Sequence, residues 1–201
     1  MTRIIGGAAG GRRLRTPPGA ATRPTSDRVR EALFSSLEAR LGTLTGLRVL
    51  DLYAGSGALG FEAWSRGAEV VTFVEQDRRT ARLIAGNARS LGCRSAEVVT
   101  GAVAAVLGRG PGPEPDRASY DLVLSDPPYP LSADAVAADL ALLRDHGWLA
   151  DGALLVVERS ARGAELPWPE GYDAARARRY GETLLYYGSY QPQPDEEEEH
   201  S

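Results

Sequence analysis

Short apolar runs alternate along this chain with stretches in which apolar residues return every three or four positions, and that alternation sets the expected elements. Val29, Leu33, Leu37 and Leu41 stand at i, i+4 spacing. They predict a helix capped by Thr25 or Ser26, with Arg28 and Arg30 off its buried stripe. Residues 47–53 begin with an aliphatic run of strand length, and a helix is expected from about residue 57. Residues 70–74 form a second strand ending in Glu75; the next helix starts near Asp77, turns Ala81, Ile84, Ala85 and Ala88 inward and stops at Gly92. Residues 96–99, 120–125 and 153–157 are three further strands, separated by helices at 102–107 and 134–143. The Gly- and Pro-bearing stretches 108–119 and 167–171 are loops, and residues 172–179 and 183–190, joined around Gly181, close the chain as an antiparallel hairpin. Strand and helix in repeated alternation predict an α/β, doubly wound, mostly parallel sheet of seven strands, covered on both faces. Ahead of it, residues 3–7 and 12–16 flank Ala8-Ala9-Gly10-Gly11 and read as a small N-terminal β-hairpin extension. A ribbon this short must lean on the main domain or on a ligand.

Charge changes the picture because it is segregated. The net value of −4 hides a balance of +5 over residues 1–40 and −9 over residues 41–201. All 23 basic residues are arginine, whose planar fork suits phosphate and stacks on bases, so the N-terminal cluster is a candidate nucleic-acid arm. The expected organisation is an arginine-rich hairpin arm over residues 1–22, one domain over 23–190, and an acidic, solvated tail over 191–201 that carries Pro192, Pro194 and four consecutive Glu. No apolar run has the length of a membrane span, and no signal-peptide core follows Met1. Cys93 is the single cysteine and His146 and His200 the two histidines, which predicts no disulfide, no metal site and a reducing, cytoplasmic setting.

Candidate chemistry centres on residues 51–60, Asp-Leu-Tyr-Ala-Gly-Ser-Gly-Ala-Leu-Gly, in a strand, turn, helix context. Gly55 and Gly57 permit a sharp turn and close approach of a ligand, while Gly60 lets the new helix settle near the sheet. Asp51 would repel a phosphate over that turn. It favours a ligand with an amino group or hydroxyls, such as S-adenosyl-L-methionine (SAM), over a dinucleotide. Glu75, at the end of the second strand, stands where a carboxylate can accept both ribose hydroxyls of an adenosine. With the strand order 3-2-1-4-5, the ends of the first and fourth strands meet at the switch point where ligands collect. The fourth strand ends in Asp126-Pro127-Pro128-Tyr129. This suits methylation of an exocyclic amine on a base: the nitrogen lone pair must leave conjugation, and the Asp126 carboxylate and Pro127 carbonyl can accept from the two amine hydrogens. Tyr129 offers a ring on which an extruded base stacks.

These residues resemble those of the bacterial methyltransferases that modify guanine N2 in small-subunit (16S) ribosomal RNA, the RsmD-type family. The likeness runs over nearly the whole chain: Arg3-Ile4-Ile5-Gly6-Gly7, Gly11-Arg12-Arg13-Leu14, residues 23–34 from Arg23-Pro24-Thr25 to Phe34, the turn at 51–60, and residues 126–129. The resemblance implies the sheet of SAM-dependent methyltransferases. It implies SAM bound by Asp51, Gly55, Gly57 and Glu75, with Tyr53, Ala54, Ser56, Gly60, Gln76 and Ala102 beside them. It gives Asp126, Pro127, Pro128 and Tyr129 the guanine amine, and Arg3, Arg12, Arg13, Arg15, Arg23 and Arg28 the ribosomal RNA, free or within an assembling small subunit. Many methyltransferases carry an acidic residue after the third strand for the adenine amine; here the stretch is Thr100-Gly101-Ala102, so a backbone contact must serve. The acidic tail has no evident counterpart. A DNA adenine-N6 methyltransferase is the nearest alternative in chemistry. A nicotinamide dehydrogenase would leave residues 126–129 without a purpose, and a non-catalytic RNA-binding module would use the arm alone.

Overall fold

The computed structural model of the protein describes residues 2–17, 27–112 and 119–192. The strands are β1 (Thr2–Arg3), β2 (Arg13–Leu14), β3 (Arg48–Leu52), β4 (Val70–Glu75), β5 (Ala96–Thr100), β6 (Tyr120–Ser125), β7 (Leu149–Ser160), β8 (Tyr172–Tyr180) and β9 (Thr183–Tyr190). The helices are α1 (Asp27–Leu41), α2 (Ala58–Ser65), α3 (Arg78–Leu91), α4 (Val103–Leu107) and α5 (Ala133–Asp145). β1 and β2 form a separate two-stranded ribbon, and the other seven strands form one sheet in the order β5-β4-β3-β6-β7-β9-β8. β5, β4, β3, β6 and β7 run parallel, and β9 and β8 add an antiparallel edge. Register decides what this places together: Leu52 of β3 lies opposite Val74 of β4 and Ser125 of β6. The next residues, Tyr53, Glu75 and Asp126, therefore emerge at one edge of the sheet.

Side chains alternate between the faces of a strand. Val49 and Phe73 join a core with Leu33, Phe34, Phe61 and Ile84 under α1, α2 and α3, whereas Leu50 and Val74 join one with Leu107, Leu140 and Leu143 under α4 and α5. The ribbon leans on the first of these layers. Glu62 of α2, fully buried, accepts from the backbone N–H of Ile5 (2.7 Å) and Gly6 (2.8 Å), and Ser65 accepts from Ala9 (2.8 Å). Ile4, Ala9 and Leu14 are buried beneath it. Among the described residues no helix is long and apolar enough to cross a membrane.

Three expectations need correction. Arg30, expected off the buried stripe of α1, is only 3 % exposed. Its guanidinium donates to the Arg3 carbonyl (2.6 Å) and to Asp27 (3.1 Å) and lies 3.9 Å from Glu62, so the ribbon gives it a polar place to be buried. On α3 the inward position expected for Ala85 is half-buried, and Asn87 is buried instead. β7 extends beyond its apolar run at both ends, because Leu149 pairs with Tyr120 ahead of a register shift and residues 158–160 pair with β9. Thr25, Ser26 and Arg23 lie outside the described residues, as does the tail beyond Pro192.

Candidate active site

β3 stops where Tyr53 takes φ 58°, a left-handed conformation uncommon outside glycine. Its hydroxyl donates to Asp139 of α5, a buried group. Burial pushes the Asp139 carboxyl up from its ordinary value while the Tyr53 bond draws it down, and burial with the neighbouring Asp139 raises the Tyr53 phenol. The turn that follows is pinned from both sides. Ala54 N–H donates to the Val74 carbonyl (3.1 Å), Gly55 N–H to Glu75 (2.9 Å), Gly57 N–H to the Ala54 carbonyl (2.7 Å) and Gly60 N–H to Asp51 (2.9 Å). Gly60 is where α2 crosses β4: a Cβ there would lie 2.3 Å from Phe73 and 2.8 Å from Val71. Asp51 is 1 % exposed. It braces the turn through Gly60 and in this conformation presents almost no atom to a ligand. Burial holds its carboxyl well above the ordinary value, with the Gly60 bond opposing and the charges of Asp126 and Glu75 reinforcing the rise.

Glu75 is held differently. One carboxylate oxygen accepts from Gly55 and the other from Asp77 N–H (2.8 Å), while Asp77 in turn caps α3 by accepting from Thr80 N–H (2.8 Å). Each oxygen keeps further acceptor capacity, so the group is fixed yet able to receive hydroxyls. It shares a cavity of about 190 Å³ with Tyr53, Val74, Gln76, Val103, Asp126 and Pro128. Whole ligands usually occupy about 300 Å³ or more. A nucleoside sulfonium such as SAM would therefore fill the cavity in part and continue over the turn, where a Cβ on Gly55 would meet nothing nearer than 3.9 Å. The residues present fit such a group: a fixed carboxylate for hydroxyls, an open glycine turn, and apolar walls from Val74 and Val103. Ser56 follows Gly55 in the turn, and Ala102 precedes the lining residue Val103 at the start of α4.

Asp126 and Pro128 reach the same cavity from β6, Pro127 is buried, and Tyr129 is 52 % exposed. The loop is stapled by Leu131 N–H donating to the Pro128 carbonyl (2.9 Å) and by buried Arg159 of β7 donating to the Leu131 carbonyl (2.7 Å). The structure thus brings together the carboxylate of the second strand and the Asp-Pro-Pro-Tyr turn of the fourth.

In the arm, Arg3 pairs with Asp27 (3.0 Å) and Arg12 reaches the Ser90 carbonyl of α3 (2.7 Å), while Arg13 and Arg15, like Arg28 of α1, are exposed. Asn87, 2 % exposed, joins arm to turn. It accepts from Arg15 N–H (2.9 Å) and donates to the carbonyls of Arg15 (3.0 Å) and Ser56 (3.2 Å). Asn87, Asp139 and Arg159 were not expected from the sequence. A polar residue at the inward phase of a helix was the available signal for Asn87 on α3 and for Asp139 on α5; Arg159 leaves none.

The family model described as conserved hypothetical protein 95 matches residues 2–189. The ribosomal RNA small subunit methyltransferase D of Escherichia coli K12 is 35 % identical over 195 residues, covering 96 % of this chain and 93 % of its own; its counterpart in Haemophilus influenzae is 36 % identical over 191 residues, covering 94 % and 93 %. The solved structure of yhhF from E. coli superposes with a TM-score of 0.82 at 34 % identity, over 96 % of this chain and 99 % of that one. The magnesium protoporphyrin IX methyltransferase of Synechocystis, solved with bound SAM, shares the fold at a TM-score of 0.61 and 18 % identity, over 82 % of this chain and 79 % of its own.

Proposed function

The chain belongs to the family described as conserved hypothetical protein 95, to which it is matched over residues 2–189, and from that premise we propose that it is a SAM-dependent methyltransferase of small-subunit ribosomal RNA whose target atom is the exocyclic N2 of a guanine. The observation that carries the chemistry is the shared register of β3, β4 and β6, which sets Glu75 and the Asp126 turn around one cavity. Relatives bearing the name ribosomal RNA small subunit methyltransferase D support the RNA substrate.

When bound, SAM supplies a methyl carbon on a positively charged sulfur. Glu75 and the Gly55 turn hold the nucleoside end, and the Asp126 carboxylate and Pro127 carbonyl accept from the two hydrogens of the guanine amine, favouring the tetrahedral nitrogen over the conjugated one. The base is held against Tyr129, which is 52 % exposed at the end of the turn. Arg159, by fixing the Leu131 carbonyl, keeps these acceptors in place. The arm grips the RNA in the cytoplasm, free or in an assembling small subunit.

The test is transfer of labelled methyl groups to small-subunit RNA from cells lacking the modification, followed by nucleoside mapping. N2-methylguanosine is expected. Asp126→Asn should slow single turnover by roughly 10²-fold, the scale for one preorganised polar group, with little change in SAM affinity. Label on adenine N6, or on DNA in preference to RNA, would contradict the assignment.

A further inference from the structure

Residues 78–96 carry Arg78, Arg79, Arg82, Arg89 and Arg94 and no aspartate or glutamate, in the part of the chain whose balance is −9. All five arginines are exposed. α3 buries Ala81, Ile84, Asn87, Ala88 and Leu91, whereas the exposed Arg78, Arg82 and Arg89 return at helical phase along one stripe that passes the half-buried Ala85 and extends about 16 Å from the first to the last. Among the described residues none of the three stripe arginines pairs with a carboxylate. Like charges left so close repel one another and favour an anion across them.

Two features say which anion. The arm meets the helix on the flank beside the stripe, because the Arg12 guanidinium crosses to the carbonyl of Ser90, the residue after Arg89. The helix also begins immediately after Glu75, Gln76 and Asp77, at the rim of the methyl-transfer cavity. A strand whose base enters that cavity can run over this helix from the rim. Guanidinium forks suit phosphodiesters.

We propose that the exposed arginine stripe of α3 is a second phosphate-binding surface for the RNA substrate, flanked by the arm and leading to the rim of the active site. This rests on the RNA-methyltransferase reading above, and the test separates the two. The full chain and its Arg78→Gln/Arg82→Gln/Arg89→Gln variant are titrated with a fluorescent small-subunit RNA fragment at several salt concentrations. Three lost contacts should make the slope of log affinity against log salt shallower by about 2, at roughly 0.7 per contact on single strands. SAM affinity without RNA should be unchanged, and the corresponding triple lysine variant should keep the wild-type slope. An unchanged slope in the glutamine variant, with the wild type still binding and methylating the RNA, overturns the surface and leaves the reading intact. A wild type that neither binds nor methylates the RNA overturns both. If the glutamine variant loses binding to anionic phospholipid vesicles while its RNA slope is kept, the surface serves a membrane and the inference is wrong.

Discussion

Replacing Asn87 by alanine should undock the second half of the arm while leaving the sheet standing. Asn87 makes three hydrogen bonds: one accepted from Arg15 N–H, one donated to the Arg15 carbonyl and one donated to the Ser56 carbonyl. The orientation of the amide is unambiguous, since the side facing an N–H must be oxygen and the side facing two carbonyls must be nitrogen. At about 1 kcal/mol net per bond the loss would approach 3 kcal/mol. Arg15 is exposed, so water can replace its partners in the variant, and about 2 kcal/mol is the better expectation for local opening. That corresponds to roughly 30-fold faster hydrogen exchange at the Arg15 amide, from a factor of ten per 1.4 kcal/mol. The N–H groups of Ile5 and Gly6 should keep their protection, because Glu62 and not Asn87 holds them. Asn87→Asp is the stricter comparison: it keeps the acceptor for Arg15 N–H but turns a carboxylate oxygen towards two carbonyls, and it should open at least as readily. The assay is hydrogen exchange followed residue by residue, with urea unfolding as the measure of the whole domain. Arg15 exchange within a factor of about 2 of wild type in both variants would refute the reasoning.

Glu75→Ala should weaken SAM binding by roughly 1 to 3 kcal/mol, since ribose hydroxyls lose their acceptor and the Gly55 N–H loses its partner; calorimetry with unchanged affinity would remove Glu75 from the site. Gly60→Ala places a methyl 2.3 Å from Phe73, and overpacking of about 1 to 3 kcal/mol exceeds a gain of about 1 kcal/mol in helix propensity, so denaturant unfolding should show a net loss. Because burial first, and the charges of Asp126 and Glu75 after it, raise the Asp51 carboxyl above its usual 3.8, its share of stability is complete below that value and is lost as pH rises through the higher folded value. Asp51→Asn, which can still accept from Gly60 N–H, should flatten that part of the stability profile, and parallel profiles for the two proteins would count against it. Tyr129→Ala should cost roughly 1 to 3 kcal/mol of base binding and Tyr129→Phe little, which RNA titration of both variants would check.

The elements were legible because their causes are local. Aliphatic runs such as residues 120–125 are strands of the expected extent, and the glycine turn after β3 is dictated by backbone geometry. The alternation of strand and helix announced a parallel sheet, and the order 3-2-1-4-5 supposed for it is the observed β5-β4-β3-β6-β7, which brings Glu75 and Asp126 together. What the sequence concealed depends on contacts between distant segments. Periodicity assigns an arginine to the outside, and Arg30 is inside only because the Arg3 carbonyl and Glu62 converge there from the arm and α2. Asp51 was expected beside the ligand from its place at a strand end ahead of the glycine turn, and neither cue reveals that Gly60 N–H donates to its carboxylate. Asp139 sits on the apolar stripe of α5, but nothing near it names the Tyr53 hydroxyl it receives, and nothing near Arg159 names the Leu131 carbonyl it reaches.

The arm is seated largely by main-chain atoms: Glu62 receives N–H groups of Ile5 and Gly6, Ser65 that of Ala9, and Asn87 both peptide groups of Arg15. Its inward side chains, Ile4, Ala9 and Leu14, and Gly7, where a Cβ would fall 1.9 Å from the Ser65 carbonyl, are committed to that seat. Arg12, Arg13 and Arg15 are held in place by none of their own outward chemistry except the reach of Arg12 to Ser90. Heredity can therefore rewrite what the arm touches without disturbing how it is mounted. A lineage could drift towards a different RNA by exchanging three or four outward side chains, each step leaving a folded, cofactor-competent protein on which selection can act.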